Sequence, residues 1–258
     1  GEGVFWQVLV DAVEVAGRIV TVVERESNLG LSASIINGVS SLLEKHDRVI
    51  ILEDDLMLSP HFLKYMNDAL DMYATEEKVA SIHGYCYPLA RKLAGTFFLR
   101  GADCWGWGTW RRSWQHFNPD GRSLFRQLRS AGLLHSFDLD GAYPFSRMLY
   151  QQIQGKNDSW AIRWHASTFL LGMLTLYPSQ SLVKNIGHDN SGTHSILDSS
   201  FDVEVSTEPV ILRTIPLEES LDLRKAIRSY FFRTRGWWIY PLNVLFEAWV
   251  RAVSYTHL

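Results

Sequence analysis

At 258 residues, with 47% hydrophobic and 21% charged residues, the chain is long enough to bury a proper core and too apolar for a disordered segment. A formal charge of -3 offers no broad basic field for a nucleic-acid backbone, although Arg224, Lys225, Arg228, Arg233 and Arg235 make the last fifth locally basic. Two cysteines, Cys86 and Cys104, have neither a metal-site spacing nor the density of a disulfide scaffold, so buried free thiols are expected.

No apolar run reaches the ~18–20 residues that cross a bilayer, and the first residues lack the layout of a signal peptide. The expectation is a cytoplasmic protein, at the inner face of the membrane if the C-terminal segment binds lipid. Ten tryptophans are present, several of them between 105 and 114 and again between 237 and 249. Rings in such groups pack cores, stack on sugars, or lie at membrane interfaces.

In chain order, a loosely helical stretch to Gly17 precedes Arg18–Val23, a β-branched run of strand length that ends in Glu24–Asn28. After Gly30, the residues Leu31, Ile35, Val39, Leu42 and Leu43 share a helix face. Next comes a strand, Arg48–Leu52, whose unbroken apolar run implies burial on both faces. Together these predict a parallel, right-handed βαβ unit. The strand runs straight into Glu53, Asp54 and Asp55, placed by this pattern in a short βα loop. Ser59 and Pro60 then predict a helix start, Ser as cap and Pro at the first helical position, with the helix continuing to about Tyr73. Val79–His83 predicts a further strand.

From Thr96 the pattern is irregular, and Gly101–Gly108 reads as a glycine-aromatic loop. Such a loop can bring backbone close to a ligand between ring walls, or pack its indoles inward. Helical stretches are predicted at about 121–134 and 144–154, then a longer helix from Ala161 to about Leu174, with Asp158 as a candidate cap. Ser181–Gly187 predicts a short strand delivering the polar loop His188–His194. After Pro209, a basic amphipathic helix over Leu221–Phe232 and an apolar-aromatic stretch over Trp237–Trp249 are expected to pack on the core or lie on a membrane surface. The predicted organisation is one α/β domain over 1–207 and a helical, basic-aromatic extension over 208–258.

Three carboxylates at the end of a buried strand suit a divalent cation, since ligands collect at the carboxyl ends of strands in open α/β sheets. A solvated acidic turn is the plainer reading. If the cation is Mg²⁺ or Mn²⁺, a diphosphate is its natural partner, and a nucleotide-sugar carries one as leaving group. A cation there offsets the charge that develops as the anomeric bond breaks. An acceptor hydroxyl must also lose a proton, and Asp158 is the candidate base.

Asn28-Leu29-Gly30, the strand into Glu53-Asp54-Asp55-Leu56, and Ser59-Pro60-His61-Phe62 together resemble bacterial glycosyltransferases of family 2 with the GT-A fold, especially their N-acetylglucosaminyltransferase I-like relatives. Cys104-Trp105-Gly106-Trp107 resembles the glycine-tryptophan loop of that group, and Asn157-Asp158-Ser159-Trp160 its W-D-D-W segment. The resemblance implies a Rossmann-like mixed α/β sheet, mostly parallel and flanked by helices. It implies Asp55 as the direct metal ligand, Asp54 as a nucleotide contact and Glu53 as support for the loop. Asn28, Gly106 and Trp107 fall in its donor-binding segments, Asp158 is its base, and His194 lies where a late loop would add a metal or phosphate contact. The partners so implied are a nucleotide-sugar donor and a saccharide or lipid-linked acceptor, with an inverting outcome if Asp158 acts as base.

Two departures stand against this resemblance. What precedes Arg18 is too short for the first strand and base-binding loop of such enzymes, so an N-terminally truncated fragment is expected. Asn157 and Ser159 replace a Trp and an Asp. Two other readings stay open: a metal-dependent phosphohydrolase, and a non-catalytic saccharide-binding fragment using the Trp105–Trp107 loop.

Overall fold

The computed structural model describes residues 8–9, 21–23, 27–89, 95–187, 199–235 and 239–252. The elements are β1 (Val8–Leu9), β2 (Thr21–Val22), α1 (Leu31–Lys45), β3 (Arg48–Ile51), β4 (Leu56–Leu58), α2 (Phe62–Met72), β5 (Val79–His83), β6 (Thr96–Arg100) and β7 (Trp107–Trp110). They continue with α3 (Arg111–Trp114), α4 (Gly121–Ser130), α5 (Leu134–Phe137), α6 (Phe145–Ile153), α7 (Trp160–Leu170), β8 (Leu174–Pro178), β9 (Val183–Asn185), a single 3₁₀ turn (Ser199–Phe201), α8 (Leu221–Arg235) and α9 (Ile239–Ala252).

The central sheet has five strands in the order β3-β7-β5-β8-β6, with helices on its faces, so the class is mixed α/β. Strands β3, β5 and β8 run one way and β7 and β6 the other. As a result, only the β5–β8 pairing is parallel among the sheet's four. The expected mostly parallel sheet is corrected on that point. The predicted βαβ unit is also corrected: among the described residues β2 pairs only with β1, antiparallel, and β3 pairs only with β7. Hydrophobic runs reveal that a strand is buried but not which strand lies beside it.

Burial on both sides explains the unbroken run in β3. Ile50 enters one core cluster with α2, and Val49 and Ile51 enter the other with α1 and α7. Strand β7 threads between β3 and β5, pairing Gly108 with both Ile50 and Ile82. A Cβ at Gly108 would meet Met66 Cε at 3.0 Å and Val49 O at 3.1 Å, so the missing side chain lets α2 lie close on the sheet. The residues read as part of a glycine-aromatic loop are therefore partly strand.

Helix α2 begins later than predicted. Ser59 Oγ accepts from the His61 backbone N–H at 3.2 Å, forming a turn, and the helix starts at Phe62 with His61 in the cap position. Helix α7 is capped by Ser159, which accepts from the Ile162 N–H at 3.2 Å, so the cap is not Asp158. Its predicted end is corrected as well: Gly172, at φ +66°, turns the chain and Leu174 starts β8. The C-terminal segment packs on the core. Val210, Leu212, Ile215 and Leu217 lie against the α2 side, and Leu223, Ile227 and Phe231 of α8 pack with Phe97, Leu99 and Tyr177.

Candidate active site

The ends of β3 and β5 and the start of β7 share one edge of the sheet, because β7 runs antiparallel to both. Glu53–Asp55, Gly84–Tyr85 and Cys104–Gly106 are brought together there. The acidic triplet does not lead directly into a helix as expected. It occupies a tight turn into β4, and β4 pairs with β9 so that Leu56 faces Asn185.

That small antiparallel pair fixes Asp55. The Ile186 N–H donates to Asp55 O at 2.8 Å, and Asn185 Nδ2 donates to Asp55 Oδ2 at 3.0 Å. A Cβ on Gly187 would strike Oδ2 at 2.6 Å, so a glycine is needed where β9 leaves the site. Asp55 Oδ1 is buried, and among the described residues no donor reaches it. An orphaned carboxylate oxygen costs free energy unless a ligand completes it.

Its neighbours sharpen the electrostatics. Glu53 is half-buried and its carboxyl is pushed up to about 7, first by burial and then by the charges of Asp55 and Asp54. Asp54 is exposed. The Cys104 thiol is raised well above its ordinary value by burial, with Asp103, Glu53 and Asp55 adding to the effect. It is therefore a neutral wall of the site rather than a nucleophile. Cys86 and Cys104 are both free thiols, as expected, but only Cys86 is buried and Cys104 is half-buried.

The glycine-tryptophan segment divides into two roles. Trp107 is fully buried and stacked on Trp160 with ring centroids 5.3 Å apart, so its indole builds the core beneath the site. Gly106, at φ +59°, gives its carbonyl to the Gly84 N–H at 2.7 Å, and a Cβ there would meet Val183 Cγ2 at 2.7 Å. The space a side chain would take there is filled by Val183 and Phe62. Trp105 is the half-buried member, edge-on to Tyr85 and Phe201. Its backbone N–H donates to Nε2 of His83 at 3.1 Å, and burial lowers the pKa of that histidine, which keeps it neutral.

Asp158 approaches the same end of the molecule by another route. Ile51 faces Trp107 in the sheet, Trp107 stacks on Trp160, and Asp158 lies just before Trp160 in the chain. Its carboxylate is largely exposed and pairs with Arg163 Nη2 at 3.3 Å. The same nitrogen bonds Ser32 Oγ at the start of α1. Just ahead, Asn28 Oδ1 accepts from the Gly30 N–H at 2.8 Å, closing a turn. Asn28 and Asp158 thus flank the start of α1, one through this turn and the other through Arg163. His194 lies outside the described residues.

Asp103 is a site-edge residue that sequence reasoning passed over. Its Oδ1 accepts from the Cys104 N–H at 2.9 Å and its Oδ2 from the Tyr87 hydroxyl at 3.0 Å. Tyr177 bonds it too, and both tyrosines are held above their ordinary pKa, chiefly by burial. The signal is an Asp within the Gly101–Gly108 segment, but its partners lie 16 and 74 residues away. Asn185, which holds Asp55, is 130 residues from it and left no local signal.

Among the described residues no group of three or more His, Cys, Asp or Glu side chains forms a ready-made metal cage. What the described residues offer instead is the single oriented carboxylate of Asp55. Comparison with protein-family models gives no match, and comparison with curated proteins gives no significant match.

Proposed function

We propose that the chain is a metal-dependent glycosyltransferase of GT-A type, moving a sugar from a nucleoside-diphosphate donor to a hydroxyl of a saccharide or lipid-linked acceptor. The observation that carries this reading is Asp55: a carboxylate pinned by Asn185 and the Ile186 amide at the sheet edge, with one buried oxygen that no donor among the described residues reaches. A single oriented hard oxygen is what a cation shared with a diphosphate requires. That cation, when bound, would offset the negative charge developing on the leaving diphosphate.

The remaining roles belong to the protein. Asp54, exposed beside the turn, is free to meet the nucleotide. Glu53, protonated up to about pH 7, limits charge repulsion inside the triplet while no donor is bound. Asp158, exposed and two residues before Trp160 in the chain, takes the proton of the acceptor hydroxyl as its oxygen bonds to the anomeric carbon. The bond between that carbon and the diphosphate oxygen breaks, and the nucleoside diphosphate leaves with the electron pair. Attack from the face opposite the leaving group inverts the anomeric centre.

The test is a panel of nucleoside-diphosphate sugars incubated with the chain, with and without Mn²⁺, scored by release of nucleoside diphosphate. Turnover should depend on Mn²⁺ and fall by at least about 100-fold in Asp55→Ala. Unchanged Mn²⁺-dependent turnover in that variant would overturn the assignment of Asp55. Release of inorganic phosphate from simple esters, without sugar transfer, would favour a phosphohydrolase instead.

A further inference from the structure

Helix α9 is inverted relative to an ordinary surface helix. Between residues 240 and 250, the side chains turned to the outside are Tyr240, Pro241, Leu242, Val244, Leu245, Ala248 and Trp249, with Leu245 65% exposed and Leu242 45%. The polar ones point inward. Asn243 is 1% exposed and donates to Gly141 O at 3.0 Å, while Glu247, 5% exposed, meets His135 Nδ1 at 3.3 Å. A helix that spends its polar residues on the protein and presents an unbroken apolar face outward requires something apolar to cover that face.

The surroundings of this face narrow the occupant. Tyr240 and Trp249, aromatic rings of the kind that settle at a lipid headgroup boundary, stand near its two ends. Beside Tyr240 lies Phe232 of α8, with centroids 6.0 Å apart, and Arg228 sits over that ring at 5.2 Å. Lys225, Arg228 and Phe232 fall on one stripe of α8, at helical spacings of three and four residues. Arg224 is held by Asp140 and Glu219, whereas no acidic partner among the described residues holds Lys225, Arg228 or Arg233. An apolar, aromatic-flanked face bordered by uncommitted cations complements an anionic bilayer surface. A second copy of the chain is a poorer match, since a two-fold pairing of these faces would bring the same basic borders together.

We propose that α9 lies in the interface of a bilayer carrying anionic headgroups, its Leu242–Trp249 face in the acyl boundary and the α8 cations on the headgroups. This does not depend on the reaction assigned to Asp55. Co-sedimentation of the full chain with vesicles of phosphatidylcholine alone, and of phosphatidylcholine with about 30% phosphatidylglycerol, tests it. Binding should be at least about tenfold tighter on the anionic vesicles and should weaken with added salt. Leu242→Glu combined with Leu245→Glu, both at exposed positions, should lose at least about tenfold on both vesicle types. Lys225→Glu combined with Arg228→Glu should remove only the preference for anionic lipid. Absence of binding by the unaltered chain, or full binding by the double glutamate variant of α9, would overturn the proposal. So would a dimer in solution that this α9 variant dissociates, if vesicles are not bound.

Discussion

Replacing Glu53 with Gln should stabilise the protein above neutral pH, although it removes a charged residue from the candidate site. Burial and the charges of Asp55 and Asp54 push the folded-state pKa of Glu53 up to about 7 from an ordinary 4.5. A carboxyl whose folded pKa is raised contributes its full stability below the unfolded pKa and loses it as pH rises through the folded one. Between pH 5 and pH 8 that loss amounts to at most about 2.5 kcal/mol, a ceiling because Glu53 is half-buried and part of its field reaches solvent. Asp138 has a folded pKa also near 7, set mainly by burial against the bonds from Ser146, and its contribution falls over the same window. The pH slope of the unaltered protein therefore mixes the two, and the difference from Glu53→Gln isolates one. Urea unfolding at pH 5 and pH 8 without added metal measures it. The variant should be more stable by less than about 1 kcal/mol at pH 5, where Glu53 is protonated in the folded protein, and its advantage should be larger by about 1–2.5 kcal/mol at pH 8. Equal stability at pH 8, or a less stable variant, would refute the account of mutual repulsion within the triplet.

Gly106→Ala should cost on the order of 2–4 kcal/mol in urea unfolding, from a left-handed backbone and a Cβ driven into Val183. A loss below about 1 kcal/mol would mean that the β7 entry can shift without cost. Asp158→Asn should lower sugar transfer by about 10²–10⁴. Its stability should change by less than about 0.5 kcal/mol, because the Asp158–Arg163 pair is exposed on the Asp side. Full transfer with Asn at that position would remove Asp158 from the role of base.

Legibility followed locality. Strand β3 could be read because both of its faces enter the core, which suppresses alternation, and β5 because all five of its residues are buried. The start of strand β8 is hidden because the helix pattern of Ala161–Leu174 runs on to its first residue, and only the left-handed Gly172 marks the break. In β7, Gly108 looked like a loop residue for the same reason that it is a strand residue, since its missing side chain admits Met66 and Leu70 of α2. The triplet was readable as an acidic turn at a strand end. What orients it was not, because the β4–β9 register and Asn185 are contributed from across the sequence, where no local pattern can register them.

Helix α9 shows how far the direction of a helix face lies outside its own sequence. Its sequence announces two faces, one apolar and one carrying Asn243 and Glu247, and the ordinary inference turns the apolar face inward. Here the polar face finds Gly141 O and His135, partners built by the α5–α6 region about a hundred residues earlier, while Phe246 and Val250 fill the apolar gap beside Phe125 and Tyr150. Those contacts satisfy the buried amide and carboxylate, groups that would otherwise oppose burial. With the polar groups accommodated inside, Tyr240, Leu242, Val244, Leu245 and Trp249 remain outside. The direction a helix faces is a property of what the rest of the fold offers it, and that is the information periodicity does not contain.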